Sequence, residues 1–198
     1  MSEPSQGIHI AAICGAVRSG NYTMKALRLV VDELSRHDKV SVELIDPAAL
    51  QLSPPGVDLT MPDSKLLREK AQRATALVLA TPEYHGSFSS VIKLVIENLG
   101  FPSVIAGKPV ALLGVAAGQL GAVKSLESLA GVCLHIGAIV LPGSTSVADV
   151  QKVFNAEGRC LDPVIEKRIR RVAAGLVDYI HGAICPRIAL EAMARGVA

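Results

Sequence analysis

A chain of 198 residues, half of them hydrophobic, is long enough to bury one sizeable core. Its 20 basic and 18 acidic residues lie without blocks and leave a formal charge of +2, so no field of one sign exists to hold nucleic acid or an anionic membrane. Three Tyr, three Phe and no Trp remove the stacking platforms that single-stranded nucleic-acid binders use. The first seven residues, Met1 to Gly7, lack the basic-then-apolar order of a secretory signal. No apolar run approaches the roughly 20 residues that cross a bilayer, so a soluble, cytoplasmic protein is expected. Cys14, Cys133, Cys160 and Cys185 are widely spaced, with no C-x-x-C and no histidine at metal-ligand spacing. They read as core or near-surface thiols rather than as a disulfide framework or a zinc site.

In chain order the pattern predicts a strand at Ile8 to Cys14, a helix at Thr23 to Arg36, and a strand at Val40 to Ile45. Pro47 to Pro62, with prolines at 47, 54, 55 and 62, reads as a loop. A helix at Asp63 to Ala74, a strand at Ala76 to Ala80 and a helix at Phe88 to Leu99 come next. A strand at Pro109 to Val115, a helix at Ala122 to His135, a strand at Ala138 to Leu141 and a helix at Asp162 to His181 complete the pattern. Pro186 to Ala198 reads as a short extra helix, an arm for a neighbour. Strands that are unbroken apolar runs are buried on both faces, the state of a parallel sheet covered by helices on each side. The connections are too long for hairpins. Five strands and five helices with right-handed crossovers favour the flavodoxin-like three-layer sandwich, strand order 2-1-3-4-5, over the six-stranded dinucleotide fold. One domain is expected across residues 1–198, with its core at about 8–181 and its tail at 186–198.

The first strand runs into Cys14-Gly15-Ala16-Val17-Arg18-Ser19-Gly20-Asn21-Tyr22-Thr23 and then a helix, so backbone N–H groups and the positive helix end converge on one loop. A G-x-G-x-x-G fingerprint fails at Val17. A P-loop fails at Asn21-Tyr22, which lack its lysine and magnesium hydroxyl, so triphosphate chemistry is disfavoured. What remains is one arginine, Arg18, with Ser19, Asn21 and Thr23, a set suited to a terminal phosphate dianion. The same residues read equally well as a helix cap beside a solvated arginine.

The third strand ends in Ala80-Thr81-Pro82-Glu83-Tyr84-His85-Gly86-Ser87 and the fourth in Val115-Ala116-Ala117-Gly118-Gln119-Leu120-Gly121. In an open α/β sheet both emerge on the same edge as the first loop, at the switch point. The last loop, poor in side chains, lets a planar ring approach the backbone, although alone it reads as an ordinary glycine-bearing turn.

Taken together, Gly15-x-x-Arg18-x-Gly20-Asn21-Tyr22-Thr23, Pro82-Glu83-Tyr84-His85-Gly86-Ser87, and Gly107-Lys108-Pro109 leading to Gly118-x-x-Gly121 resemble the NADPH-dependent FMN reductase family, over roughly residues 8–180. The Pro-Glu-Tyr loop is the most specific of these signals. The resemblance implies an FMN-binding oxidoreductase that takes hydride from NADPH or NADH and passes it to a flavin, quinone, azo compound or metal oxyanion. It implies that Arg18, Ser19, Asn21 and Thr23 hold the phosphate, with Tyr22 also among the cofactor-binding residues. Pro82, Glu83, Tyr84, His85 and Gly86 then follow the flavin edge, and Ala117, Gly118, Gln119 and Gly121 lie against the ring. Many members carry serine where Ala16 stands, so one phosphate hydroxyl is absent here.

Hydride transfer between stacked rings belongs to the cofactor, so no catalytic side chain is assigned. Backbone N–H groups near His85 and Gly86 are expected to tune the ring, with Tyr84 beside it. A proton-donor role for His85 is the lesser reading, since a loop histidine is more often simply exposed. His135 and His181 fall in helical patterns and read as structural, and Glu83 reads equally as a loop-stabilising acceptor. The helix containing Val91-Ile92-Lys93-Leu94-Val95-Ile96-Glu97-Asn98-Leu99 is apolar around more than one face, which predicts a homodimer or homotetramer. The rival reading is a flavodoxin-like electron carrier without nicotinamide turnover, against which the slightly basic charge and scarce aromatics argue.

Overall fold

A computed structural model describes residues 7–56 and 61–196. The leader reading of residues 1–6, the stretch 57–60 within the proline-rich loop, and the tail end at 197–198 lie outside the described residues. In chain order the elements are β1 (Ile8–Cys14), α1 (Tyr22–Leu34), β2 (Val40–Ile45), α2 (Pro62–Arg73), β3 (Ala76–Tyr84), β4 (Ser87–Phe88), α3 (Ser90–Glu97) and β5 (Pro109–Val115). They continue with α4 (Val123–His135), β6 (Ile139–Val140), β7 (Thr145–Val147), α5 (Val150–Val153), α6 (Pro163–Tyr179) and α7 (Cys185–Ala194). The parallel sheet runs β2-β1-β3-β5-β6. That is the expected order 2-1-3-4-5, with one unforeseen strand inserted into the count.

Two cores flank this sheet. Alternate residues of each strand face opposite layers. Ile10 and Ala12 of β1, Val78 of β3 and Leu113 of β5 pack under Leu27, Val30 and Leu34 of α1 and Ile169, Val172 and Leu176 of α6. On the other face Ile13, Leu77, Leu79 and Leu112 meet Leu67 of α2, Ile92 and Val95 of α3, and Leu126 and Leu129 of α4. Because both faces are covered, the central strands β3 and β5 show no polar alternation and read as continuous apolar runs, whereas the edge strand β2 carries Ser41 and Glu43. Within the first of these layers, Arg170 of α6 pairs with Glu166 of its own helix and with Asp32 and Glu33 of α1, tying α1 to α6.

Five expectations need correction. The third strand runs past Ala80 to Tyr84, because Thr81 and Pro82 still pair with Gly114 and Val115 of β5. It then folds back as a two-residue hairpin, Glu83 opposite Phe88 and Tyr84 opposite Ser87, so the connections are not all too long for hairpins. The helix predicted from Phe88 starts at Ser90, since Ser89 has extended backbone and its side chain accepts from Ile92 N–H as an N-cap. The fifth strand is split. β6 pairs with Pro109 and Val110 and β7 with Leu113 to Val115, leaving Ala111 and Leu112 unmatched beside a hollow of about 230 Å3 that Pro142, Gly143 and Tyr179 help to line. Finally, α6 does not end at His181 but widens through a π turn at Ile180–Ile184 into α7, none of whose residues is buried. His135 and His181 are both exposed.

Candidate flavin and nicotinamide site

Between β1 and α1 the chain makes a tight turn: the Asn21 N–H donates to the Arg18 carbonyl at 3.2 Å, and the Asn21 side-chain amide donates to it at 2.8 Å. Gly20 takes φ +67 there, a conformation that glycine adopts without penalty. Asn21 Oδ1 accepts from Met24 N–H at 2.7 Å and so caps α1. Both halves of that side chain are therefore engaged in shaping the loop. Thr23 is buried, so its hydroxyl is not offered to solvent. Among the described residues, the N–H groups of Arg18, Ser19, Gly20, Tyr22 and Thr23 find no acceptor in the protein. Five unpaired donors at the positive end of a helix form an anion nest.

The Arg18 and Ser19 side chains are exposed beside these donors, and Arg18 makes no ion pair among the described residues. Tyr22 lies beneath the Lys25 ammonium, 4.9 Å from the ring centre, while that ammonium donates to the Asn155 carbonyl at 2.7 Å. A cleft of about 620 Å3 opens along this turn, with Arg18, Ser19 and Arg28 on one side and Asp46 and Glu157 on others. Below the loop, burial pushes the Cys14 thiol up to about 11, so it stays protonated and is no nucleophile at neutral pH. Gly15 is fixed by packing, since a Cβ there would stand 2.5 Å from the Ala80 carbonyl oxygen, to which the Gly15 N–H already donates at 2.6 Å.

The second loop is the β3–β4 hairpin. Its two central residues, His85 and Gly86, have φ +51 and +75, the pattern of a type I′ turn whose twist matches its strands. Histidine is among the few side chains found there with some frequency. Pro82 is buried, whereas Tyr84, His85 and Gly86 are exposed at the tip. The Glu83 carboxylate turns to α4 and accepts from both the N–H and the hydroxyl of Ser125, each at 3.2 Å. At the base, the Ser89 hydroxyl donates to the Gly15 carbonyl at 2.5 Å, joining the hairpin to the first loop.

In the third loop Ala117, Gly118 and Gln119 are exposed, and nothing lies within 4 Å of where a Gly118 Cβ would point. Gly121 is buried instead: with φ +68, a Cβ on it would fall 2.3 Å from Ser146 Oγ. That hydroxyl accepts from Ala122 N–H at 2.8 Å, so Ser146 of β7 sets how the loop enters α4. Sequence reasoning missed Ser89, Ser125 and Ser146, whose partners are remote in the chain. It also missed Val17 and Leu120, exposed apolar side chains on the first and third loops that join Tyr84 in giving each loop an apolar tip.

The topology brings the three loops to one edge. Cys14 pairs with Ala80 and Pro82 with Val115, so all three leave adjacent strands at their carboxyl ends, where the order 2-1-3 reverses direction. The residues fit a phosphorylated planar ligand: a donor nest with an arginine at one end and a floor poor in side chains at the other. Among the described residues no cluster of three or more His, Cys, Asp or Glu could hold a metal ion.

Comparison with known proteins agrees. One relative, 31% identical over 183 residues, 89% of this chain and 97% of its own length, is the NAD(P)H-dependent FMN reductase of Pseudomonas aeruginosa. Another, the FMN-dependent NADPH-azoreductase of Staphylococcus aureus, is 26% identical over 85% of this chain and 93% of its own. Among solved structures, FerB, a flavoenzyme NAD(P)H:(acceptor) oxidoreductase from Paracoccus denitrificans, shares the fold with a TM-score of 0.71 at 23% identity, covering 88% of this chain and 98% of that one. The family model described as NADPH-dependent FMN reductase matches residues 8–152, and the chain belongs to that family.

Proposed function

We propose that the three loops bind FMN and that the enzyme oxidises NADPH or NADH, passing the electrons to a small-molecule acceptor such as a flavin, quinone, azo compound or metal oxyanion. The observation that carries this reading is the nest of unpaired N–H groups beside Arg18, one strand away from an exposed hairpin and two from a bare loop. FMN, when bound, supplies the hydride-accepting ring, so the protein's part is to bind, orient and exclude. Arg18, Ser19 and the N–H groups of Tyr22 and Thr23 would hold the phosphate. Asn21 shapes that cradle through its cap. The tip of the hairpin, Tyr84 to Gly86, would offer backbone donors to the polar ring edge, with Pro82 and Glu83 beneath it. Ala117, Gly118 and Gln119 would form the floor, its far end fixed by Gly121. No acid or base side chain is needed to move a proton at the reacting atoms.

The whole chain would serve as one flavin-binding domain. Among the described residues no helix is long and apolar enough to cross a membrane, in keeping with a cytoplasmic enzyme. Val91 and Leu94 of α3 line a cleft of about 450 Å3 with Leu52, Pro54 and Pro55, an apolar strip that a second copy would cover to give a homodimer or homotetramer.

The test is purification without added cofactor, with particle mass read by light scattering. A yellow protein heavier than one chain and bleached by NADPH under argon is expected. Bleaching by dithionite alone would replace the reductase with an electron carrier, and a 20.7 kDa particle would remove the dimer.

A further inference from the structure

Helix α4 begins without a cap of its own. Its N-cap position is Ala122, whose side chain can accept nothing, and no local side chain takes up the first-turn N–H groups. A helix start usually recruits Ser, Thr, Asp or Asn from that very position. Here the acceptor comes from 42 residues earlier: Glu83 Oε2 receives both Ser125 N–H and Ser125 Oγ–H. A carboxylate is well suited to the task, because it also meets the positive end of the helix dipole. The same turn of α4 lies close to the hairpin tip, the Lys124 Cδ standing 3.9 Å from the place a Gly86 Cβ would occupy.

This arrangement has a consequence that a local cap lacks. The hairpin residue just before the exposed tip is fastened to the helix that the third loop leads into, so the second and third loops hold one spacing. Cys14, Cys133 and Cys160 are buried, and the Lys93–Glu97 and Arg170 ion pairs lie on helix faces, so none of these groups links two loops of the site in this way.

We propose that Glu83 is a positioning residue: its carboxylate clasps the hairpin to the first turn of α4, so the flavin's edge and floor are preassembled at a fixed separation. The proposal rests on the flavin-binding reading above. A ring held between two walls needs that separation constant to a fraction of an ångström for hydride transfer to proceed. Walls already fastened in the empty protein also spare the ligand the cost of ordering them. Because the clasp acts on the ring and not on the phosphate, it serves FMN and riboflavin alike.

The experiment titrates FMN and riboflavin, by quenching of flavin fluorescence, into wild type, Glu83→Gln, Glu83→Ala, Ser125→Ala and the Glu83→Ala/Ser125→Ala pair. Each is first shown to be folded by circular dichroism at the working temperature. Losing a hydrogen-bonded charged acceptor should weaken both flavins by the same factor, on the order of tenfold, in Glu83→Ala. Glu83→Gln, whose amide oxygen still accepts, should stay within about threefold of wild type. Adding Ser125→Ala to Glu83→Ala should cost nothing further, since the two residues make one contact. At saturating flavin, kcat with NADPH should fall in Glu83→Ala and return in Glu83→Gln, which a cap serving only stability would not produce.

Unchanged affinity for both flavins in folded Glu83→Ala overturns the clasp, as does a loss confined to FMN. Failure of Glu83→Gln as complete as that of Glu83→Ala would also overturn it, pointing to the negative charge rather than the tether. Should Glu83→Ala not fold, Ser125→Ala decides: equal weakening of both flavins by about threefold supports the clasp, and no change overturns it. A wild-type protein that takes up neither flavin rejects the flavin reading itself, whereas wild-type binding with an indifferent Glu83→Ala rejects the clasp alone.

Discussion

The first loop and the hairpin sit one strand apart on the same sheet edge, yet they hold their shapes by opposite means. The first loop is built from backbone, with Gly15 pressed against the Ala80 carbonyl, Gly20 turned to positive φ and Asn21 closing the turn. Among the described residues, the N–H groups of Arg18, Ser19, Gly20, Tyr22 and Thr23 are left without a protein acceptor. The hairpin is held by side chains reaching elsewhere, Glu83 to Ser125 and Ser89 to the Gly15 carbonyl, and it leaves its tip bare. A phosphate needs many donors converging on a small volume, which only backbone can supply at that density. A ring edge needs a few groups at a fixed distance, which a braced ribbon supplies. The two ends of one ligand thus select two different kinds of loop.

This contrast can be broken most sharply at its charged end. Arg18→Ala should weaken FMN by about 1.5–3 kcal/mol, the worth of a charge-assisted contact, and leave riboflavin unchanged. Equal loss for the two ligands, measured by calorimetry, would mean that the nest does not hold the phosphate. A smaller effect is expected at the hairpin tip. His85 adopts a left-handed conformation that costs an L-residue about 1–2 kcal/mol, so His85→Gly should keep or raise the melting temperature. His85→Val, β-branched and poorly tolerated there, should lower it, and a valine variant as stable as wild type would contradict the type I′ turn.

The smallest effect lies outside the site and serves as its control. A hydrogen bond from Arg170, with Arg36 nearby, holds the Asp32 carboxyl below the usual carboxylate range. A lowered folded value means that this stability is fully present above the unfolded carboxyl pKa, near 4, and is lost as pH falls through the folded value. Asp32 is half exposed, so the loss should be less than about 1 kcal/mol. Asp32→Asn should flatten that part of the acid limb in denaturant melts while leaving flavin binding untouched, and an unaltered acid limb would show the pair to be idle.

The alternation of buried apolar runs with helical periods made the sheet order legible, because strands covered on both faces carry that pattern themselves. Gly15, Arg18 and Gly20 were legible for a similar reason: the turn they make is local. The hairpin was not. His85-Gly86 lacks the Asn-Gly or Asp-Gly pair that marks such turns, and two-residue β4 is too short to show alternation. Thr23 and Asn21 looked like phosphate ligands because polarity is visible in a sequence and direction is not. One is buried and the other is engaged as a helix cap. Glu83 was open between ligand contact and loop support, and its partner Ser125 lies too far along the chain for spacing to reveal. Ser146 gave no signal at all, since its contact with Gly121 exists only once β7 has docked beside β5.

The interruption at residues 141–144 also shapes how one molecule meets another. An outer strand with an unbroken row of unpaired N–H and C=O groups is a template on which a foreign chain can add itself, and natural sheets blunt such margins. With β6 and β7 reduced to two and three residues on either side of Pro142-Gly143, this margin offers no continuous ladder. The notch therefore guards the protein against edge-to-edge polymerisation, and filling it with a regular strand would be expected to make it more prone to form fibrils.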